Sequence, residues 1–303
     1  MNFRLLTALL LTIAFLPQHA RPRGGASLSE LRPRLQEIAD TSKGRVGASV
    51  ALLETGDEVA LNADGRFPMQ SVYKLPIAMA VLRLADAGSL KLGDQIRVTE
   101  DDIVPEKMHS PLRDKHPKGG FEISIGELLR VMMIESDGTA SDVLLRVAGG
   151  PERVGEYLRG LGLEEVSVAT SEKAMAAGPE VQYRNWATPR GMLKLLRTLH
   201  EGRGLSSESR ALLLRLMTES VTGPRRLKGM LPEGTAVAHK TGTSGTVAGL
   251  TRATNDVGII TLPDGRHLAV VVFVSDSTAP AEVREGVIAR IARAAWDLQT
   301  RPN

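Results

Sequence analysis

Gln70-Ser71-Val72-Tyr73-Lys74-Leu75-Pro76 opens an apolar run, Ile77 to Leu84, that closes at Asp86-Ala87-Gly88. Such a run is too long for a strand, and its glycine stop makes it read as a buried helix. Ser71 stands at the N-terminal end with Lys74 three residues on, so both side chains fall on one helical face. A serine hydroxyl is a poor nucleophile until a base takes its proton. A lysine in a dry pocket can be shifted toward the neutral amine that would serve. The free N–H groups and positive dipole end of a helix start would favour an oxyanion beside Ser71. Ser-x-x-Lys recurs by chance as an N-cap serine followed by an exposed lysine, so the rest of the chain has to decide.

The composition sets bounds. The 303 residues carry 38 Lys and Arg against 35 Asp and Glu, a net charge of +3, and 42% are hydrophobic. That length allows one large domain or two intimate lobes, and the hydrophobic share is ordinary for a globular enzyme. No Lys/Arg block of the kind that binds nucleic acid occurs. There is no cysteine, so no disulfide forms and the core alone must hold the fold. The histidines show no metal-ligand spacing, and no zinc site or other metal is expected.

Residues 1–20 have the pattern of a secretory signal: Arg4, then an apolar core from Leu5 to Leu16, then a cleavage site near Ala20. The mature protein is therefore expected to be exported to the periplasm or beyond, with no membrane anchor. Ser27-Leu28-Ser29-Glu30 is a capping box for a helix striped by Leu31, Leu35 and Ile38, with Pro33 in its first turns. Val46–Leu53 and Glu58–Leu61 flank Thr55-Gly56-Asp57 and read as a hairpin. A short strand is expected near Gln95–Val98, and Ser124-Ile125-Gly126-Glu127 caps a helix reaching Ile134. Ala140–Val147, Glu152–Leu158, a segment from Pro189 to Leu199, and Ser207–Met217 read as further helices. Ser167 to Trp186 has no period. Beyond Gly234 the pattern turns to strands, Thr235–Thr241, Val257–Leu262 and His267–Val274, before a helix from Ala281 to Leu298. With strands at both ends and helices between, the expected fold is α/β (α+β). It has an antiparallel sheet flanked by terminal helices (about 27–66 and 222–300) and an all-helical lobe (about 67–221), within one domain over 21–303.

Two further motifs carry chemistry. Lys240-Thr241-Gly242-Thr243-Ser244-Gly245, at the end of a strand, offers a fixed cation and two threonine hydroxyls for a substrate carboxylate, and Gly242 allows close backbone approach. A strand edge there could pair with an extended, peptide-like substrate. Ser136-Asp137-Gly138 follows a helix: Ser136 could relay a proton to a leaving nitrogen, while Asp137 reads as a helix cap.

Ser-x-x-Lys, Ser-Asp-x and Lys-Thr-Gly, in this order, are the set found in class A β-lactamases and penicillin-binding proteins. The chain resembles class A serine β-lactamases over most of residues 28–298. Phe67 to Pro76 is similar to that family's nucleophile segment, while Gln182-Tyr183-Arg184-Asn185-Trp186-Ala187-Thr188-Pro189 and His239 to Gly245 resemble the PER- and VEB-type branch. The resemblance implies a β-lactamase/transpeptidase-like fold and hydrolysis of the lactam amide through an acyl-serine. It implies an omega loop in the aperiodic segment and selects Glu172, thirteen residues before Asn185, as the deacylating base. It places the oxyanion hole at the N–H groups of Ser71 and Thr243. It assigns carboxylate support to Arg226, fourteen residues before Lys240, with neighbouring Arg225 leaving the register open. Either Lys74 or Glu172 through water would accept the Ser71 proton. Three positions depart from the usual pattern: Gly138 replaces an asparagine, Ala176 replaces another, and His109 stands where the cleft wall is usually aromatic. No cofactor is implied, the partner is a small β-lactam, and the default state is a monomer. A D-alanyl-D-alanine carboxypeptidase, or a sensor that stays acylated, would share the first and last motifs.

Overall fold

The structure, a computed structural model, describes residues 27–301. The secretory-signal pattern lies outside the described residues. Five antiparallel strands form the main sheet: β1 (Arg45–Leu52), β2 (Glu58–Leu61), β3 (Val237–Thr243), β4 (Thr254–Thr261) and β5 (His267–Ser275), in the spatial order β2-β1-β5-β4-β3. The pairing runs Arg45↔Ser275 to Leu52↔Leu268 and Thr254↔Thr243 to Ile260↔Val237. Chain ends thus build one sheet, and β3 is left as an edge.

Successive strand side chains point to opposite faces, and here both faces are apolar. Val46, Ala48, Val50, Val270, Val272 and Val274 face one core, which α1 (Arg32–Asp40) and α7 (Ala281–Thr300) complete through Leu35, Ile288 and Ile291. Ala51, Ala269, Val271, Phe273, Val257 and Ile259 face a second core. That core also holds α2 (Lys74–Asp86), α3 (Ile125–Ile134), α4 (Gly138–Val147), α5 (Pro189–His200) and α6 (Ser207–Thr218). In α2 every residue from Lys74 to Leu82 is buried, as its uninterrupted apolar run requires.

Several boundaries move for identifiable reasons. The Ser27 hydroxyl accepts from the Ser29 N–H and not from that of Glu30, and Asp57 accepts from Leu28 N–H; a 3-10 turn follows, and the α-helix begins at Arg32 with Pro33 in its first turn. The strand at Gln95–Val98 has a partner the sequence reading passed over, Phe121–Ser124, because Ser124 also caps α3 through the Glu127 N–H. β3 runs on to Thr243, so Lys240 lies inside the strand and not at its end. The aperiodic segment holds one α-helical turn, Glu172–Met175, and one 3-10 turn, Val181–Arg184, between the short strand pieces Val166–Ser167 and Trp186–Ala187.

Candidate active site

Ser71 does not sit in the helix itself. It lies in a 3-10 turn, Gln70–Tyr73, that runs into α2 at Lys74. Gln70 has a φ of +47°, a left-handed conformation that costs a non-glycine residue about 1–3 kcal/mol. Three contacts hold that turn in place. The Gln70 amide donates to Gln182 Oε1 at 2.6 Å. The buried Asn255 amide donates to the carbonyls of Pro68 and Met69 at 2.8 and 3.1 Å. Finally, Met69 N–H donates to the Asn185 carbonyl at 2.9 Å.

Lys74 Nζ reaches inward to three partners. It donates to Ser71 Oγ at 3.0 Å and to the Ser136 carbonyl at 2.7 Å, and it lies 2.8 Å from Glu172 Oε1. Lys74 is 1% exposed and Glu172 4% exposed. The contact with Glu172 is an ion pair without hydrogen-bond alignment, so Oε1 has a charge partner but no donor. A buried pair like this is costly to desolvate and more costly to break on one side.

Glu172 is fixed by its backbone. Asp142 of α4 accepts from the N–H groups of Glu172 and Lys173 at 2.7 and 2.8 Å, and Ser171 caps the turn through Ala174 N–H. Asn185 spans the base of the loop: its Oδ1 accepts from Ala169 and Thr170 N–H, and its amide donates to Thr170 O. Burial, with the Glu172 charge nearby, pushes the Asp142 carboxyl up to about 6. The sequence reading missed Asp142 and Asn255. For Asp142 a signal existed, an acid between the buried Ala140 and Val143 of an otherwise apolar helix face. Asn255 carries no local signal, because its work is done on residues nearly 190 positions away.

Lys240 is wholly buried, donating to Ser136 Oγ at 2.9 Å and to the Thr241 carbonyl at 3.0 Å. Burial, and then the charge of Lys74, pushes its ammonium well below the ordinary lysine value. Ser136 has a φ of +62°, a second strained residue at the site, and it meets both lysines: its carbonyl faces Lys74 and its hydroxyl Lys240. Gly242 is required by contact. A Cβ there would lie 2.2 Å from the Met69 carbonyl oxygen and 3.2 Å from Ser71 N, so only glycine lets β3 press against the nucleophile turn. Arg225 and Arg226 differ in burial. Arg226 is buried beneath β3, donating to Thr243 Oγ1 at 2.7 Å and to the carbonyls of Gly242 and Asn255; Arg225 is exposed, and both arginines donate to Glu285. The Thr241 hydroxyl pairs with that of Thr222 at 2.7 Å.

Beside this network lies a cavity of about 450 Å³ lined by Ser71, Lys74, Glu172, His109, Thr243 and Ser244 among others; Ser136, Arg226, Lys240, Thr241 and Gly242 do not line it. Ser244 is tied to Ala253 across the strand end. His109 is exposed on the rim, its Nε2 2.9 Å from the Glu135 carbonyl. At Gly138, N–H donates to the His109 carbonyl at 3.0 Å, and a Cβ would meet that oxygen at 2.9 Å. The glycine therefore sets how closely the His109 segment approaches α4. Asp137 caps α4 through Ala140 N–H and is wholly buried, also accepting from Ser110 and Leu112. Ala176 closes the Glu172 turn and also lines the cavity.

Comparison with known proteins gives this arrangement its family. A family model described as the β-lactamase enzyme family matches residues 30–299. The chain belongs to the β-lactamase enzyme family. It is 39% identical to the extended-spectrum β-lactamase PER-1 of Pseudomonas aeruginosa, over 89% of this chain and 88% of that protein. It is 38% identical to β-lactamase VEB-1 of the same organism, covering 90% and 91%. Among solved structures, a β-lactamase from Chitinophaga pinensis DSM 2588 is 46% identical with a TM-score of 0.86, covering 88% of this chain and 98% of that one. The TLA-1 extended-spectrum β-lactamase is 39% identical with a TM-score of 0.88, covering 91% and 100%. The expected α/β fold of this β-lactamase family is therefore the one observed.

Proposed function

We infer that the protein hydrolyses the β-lactam amide bond as a class A serine β-lactamase, thereby conferring β-lactam resistance. The observation that carries this is the buried row of Ser71 Oγ, Lys74 Nζ and Glu172 Oε1, with successive distances of 3.0 and 2.8 Å. A serine and lysine suffice to acylate; a second, carboxylate base facing the same lysine supplies what release of the acyl group needs.

Ser71 attacks the lactam carbonyl, and the oxyanion forms against the N–H groups of Ser71 and Thr243. The Ser71 proton passes to Lys74, once Lys74 has given its own to Glu172 across 2.8 Å, or to Glu172 through water. Ser136, whose hydroxyl is held by Lys240 at 2.9 Å, gives its proton to the leaving nitrogen and is re-protonated by Lys74, which takes the proton back from Glu172 and leaves that carboxylate ionised. The substrate carboxylate is met by Lys240, Thr241 and Thr243, with Arg226 holding the Thr243 hydroxyl in place and Gly242 bringing the strand close. Ser244 and His109 border the lactam side chain, and Gly138 sets the width there. Glu172 Oε1, which has no hydrogen-bond donor from the protein, then aligns and deprotonates the water that frees the product. No resident cofactor enters this sequence.

The test is to follow lactam absorbance with purified wild type and Ser71→Ala on a penicillin and a cephalosporin. Many turnovers by wild type and none by Ser71→Ala is the expected result. A stoichiometric burst on wild type followed by a lasting adduct would overturn hydrolysis in favour of a sensor or a carboxypeptidase. Export is part of this reading, supported by the Arg4 and Leu5–Leu16 pattern, with a monomer as the family default; among the described residues no helix is long and apolar enough to cross a membrane. N-terminal sequencing of protein from the periplasm should begin just after Ala20, and a start at Met1 would contradict it. The division into a sheet lobe (27–66 and 222–300) and a helical lobe (67–221) is supported by the core that lies wholly within the sheet lobe; the other core joins the sheet's second face to the helical lobe. Hydrogen exchange should then show two separately protected units, where a single cooperative unit would argue against the division.

A further inference from the structure

Away from the cavity, the ends of three elements bring Glu54, His200 and His267 together. His200 ends α5, His267 begins β5, and Glu54 follows β1. One ligand atom from each can be chosen so that all lie within 4.8 Å of one another. Glu54 Oε1 is 2.7 Å from His267 Nδ1 and 4.0 Å from His200 Nε2. The two imidazole centroids are 4.7 Å apart. None of the three residues lines the cavity beside Ser71. The absence of any short His spacing in the sequence had argued against a metal site; the fold supplies the proximity that the spacing lacks.

We propose that Glu54, His200 and His267 form a binding site for a divalent transition metal of the zinc type, separate from the reaction centre. Such an ion takes imidazole nitrogen and carboxylate oxygen at about 2.0–2.2 Å, which puts tetrahedral ligands about 3.3 Å apart. The present separations of 2.7 and 4.0 Å straddle that value, so small side-chain rotations bring all three into range. The carboxylate is already oriented: His267 N–H donates to its second oxygen, Glu54 Oε2, at 3.0 Å, and Leu53 N–H donates to the His267 carbonyl at 2.9 Å. The metal takes the place of a proton between His267 Nδ1 and Glu54, and that proton moves to Nε2 or to solvent. With His267 from the sheet, Glu54 from the turn after β1 and His200 from α5, the ion is a clip between a helix end and the sheet. The fourth position is open to water, as in sites with three protein ligands.

The experiment uses the whole chelator-stripped protein, with Zn²⁺ titrated by calorimetry and by thermal unfolding, and Co²⁺ as a spectroscopic probe. Wild type should bind one equivalent, show the visible bands of tetrahedral Co²⁺, and unfold at a higher temperature with Zn²⁺. At a Zn²⁺ concentration a hundred times its Kd, the unfolding equilibrium constant should fall about a hundredfold. His200→Ala and His267→Gln should each abolish all three effects, and retained lactam hydrolysis by either variant shows that it folds. No binding by wild type would overturn the site. So would undiminished binding in the variants, since this would place the ion on other surface groups.

Discussion

Lys240 carries the sharpest conflict at the residue scale. The chemistry asks it to be a cation for the substrate carboxylate, yet burial and Lys74 push its pKa well below the ordinary value of 10.5. The sign follows directly. With a lowered pKa the ammonium is lost at a lower pH than usual, so kcat/KM, which reports the free enzyme, should fall on the alkaline side below pH 10.5. Lys240→Arg, whose guanidinium does not deprotonate, should move that limb upward; an unmoved limb would remove Lys240 from the titration. Gly242 is constrained by space alone. Gly242→Ala puts a methyl 2.2 Å from the Met69 carbonyl oxygen, so the nucleophile turn or the strand must shift. We expect kcat/KM to drop at least 100-fold, since a misplacement of about 1 Å has that effect, and stability to fall by about 1–3 kcal/mol. Steady-state kinetics and urea unfolding measure both, and a near-normal rate would show that the close approach is dispensable.

The omega loop is the element that the sequence displayed least. Its lack of period marked it as irregular, and Glu172 was reached there through resemblance, not pattern. What holds the loop is long-range: Asp142 on α4, Asn185 across its base, and Gln182 on Gln70. Asp142 makes the loop sensitive to pH. Its folded pKa of about 6 lies above the unfolded value of 3.8, so the folded state binds more protons between those limits. Stability from this group is therefore present in acid and declines as pH rises toward 6, by about 3 kcal/mol at most. Urea unfolding from pH 4 to 7, wild type against Asp142→Asn, should give profiles that diverge in that window, and parallel profiles would contradict the shift. The helices and strands themselves were more legible, because buried stripes and capping residues are local. Phe121–Ser124 escaped because Ser124 serves both a strand and a helix cap, and Lys240 was set at a strand end because pairing to β4 extends to Thr243.

At the scale of the molecule, the sheet joins the chain's two ends and presents its edge strand β3 to the turn that carries Ser71. That single juxtaposition brings Lys240 from one side to within 2.9 Å of Ser136 Oγ, whose residue shares Lys74 with Ser71 on the other. The motifs were visible in sequence as three short pieces; the strained backbones at Gln70 and Ser136, and the Asn255 brace, were not, since each exists only once the lobes pack. In the proposed mechanism, Glu172 releases the acyl group that Ser71 accepts. The most direct test is intact-protein mass spectrometry of Glu172→Gln mixed with a penicillin, beside wild type. Glutamine fills the same volume but cannot take a proton. The account predicts that the variant accumulates one covalent drug adduct while wild type clears it; rapid turnover with no accumulated adduct on Glu172→Gln would contradict it.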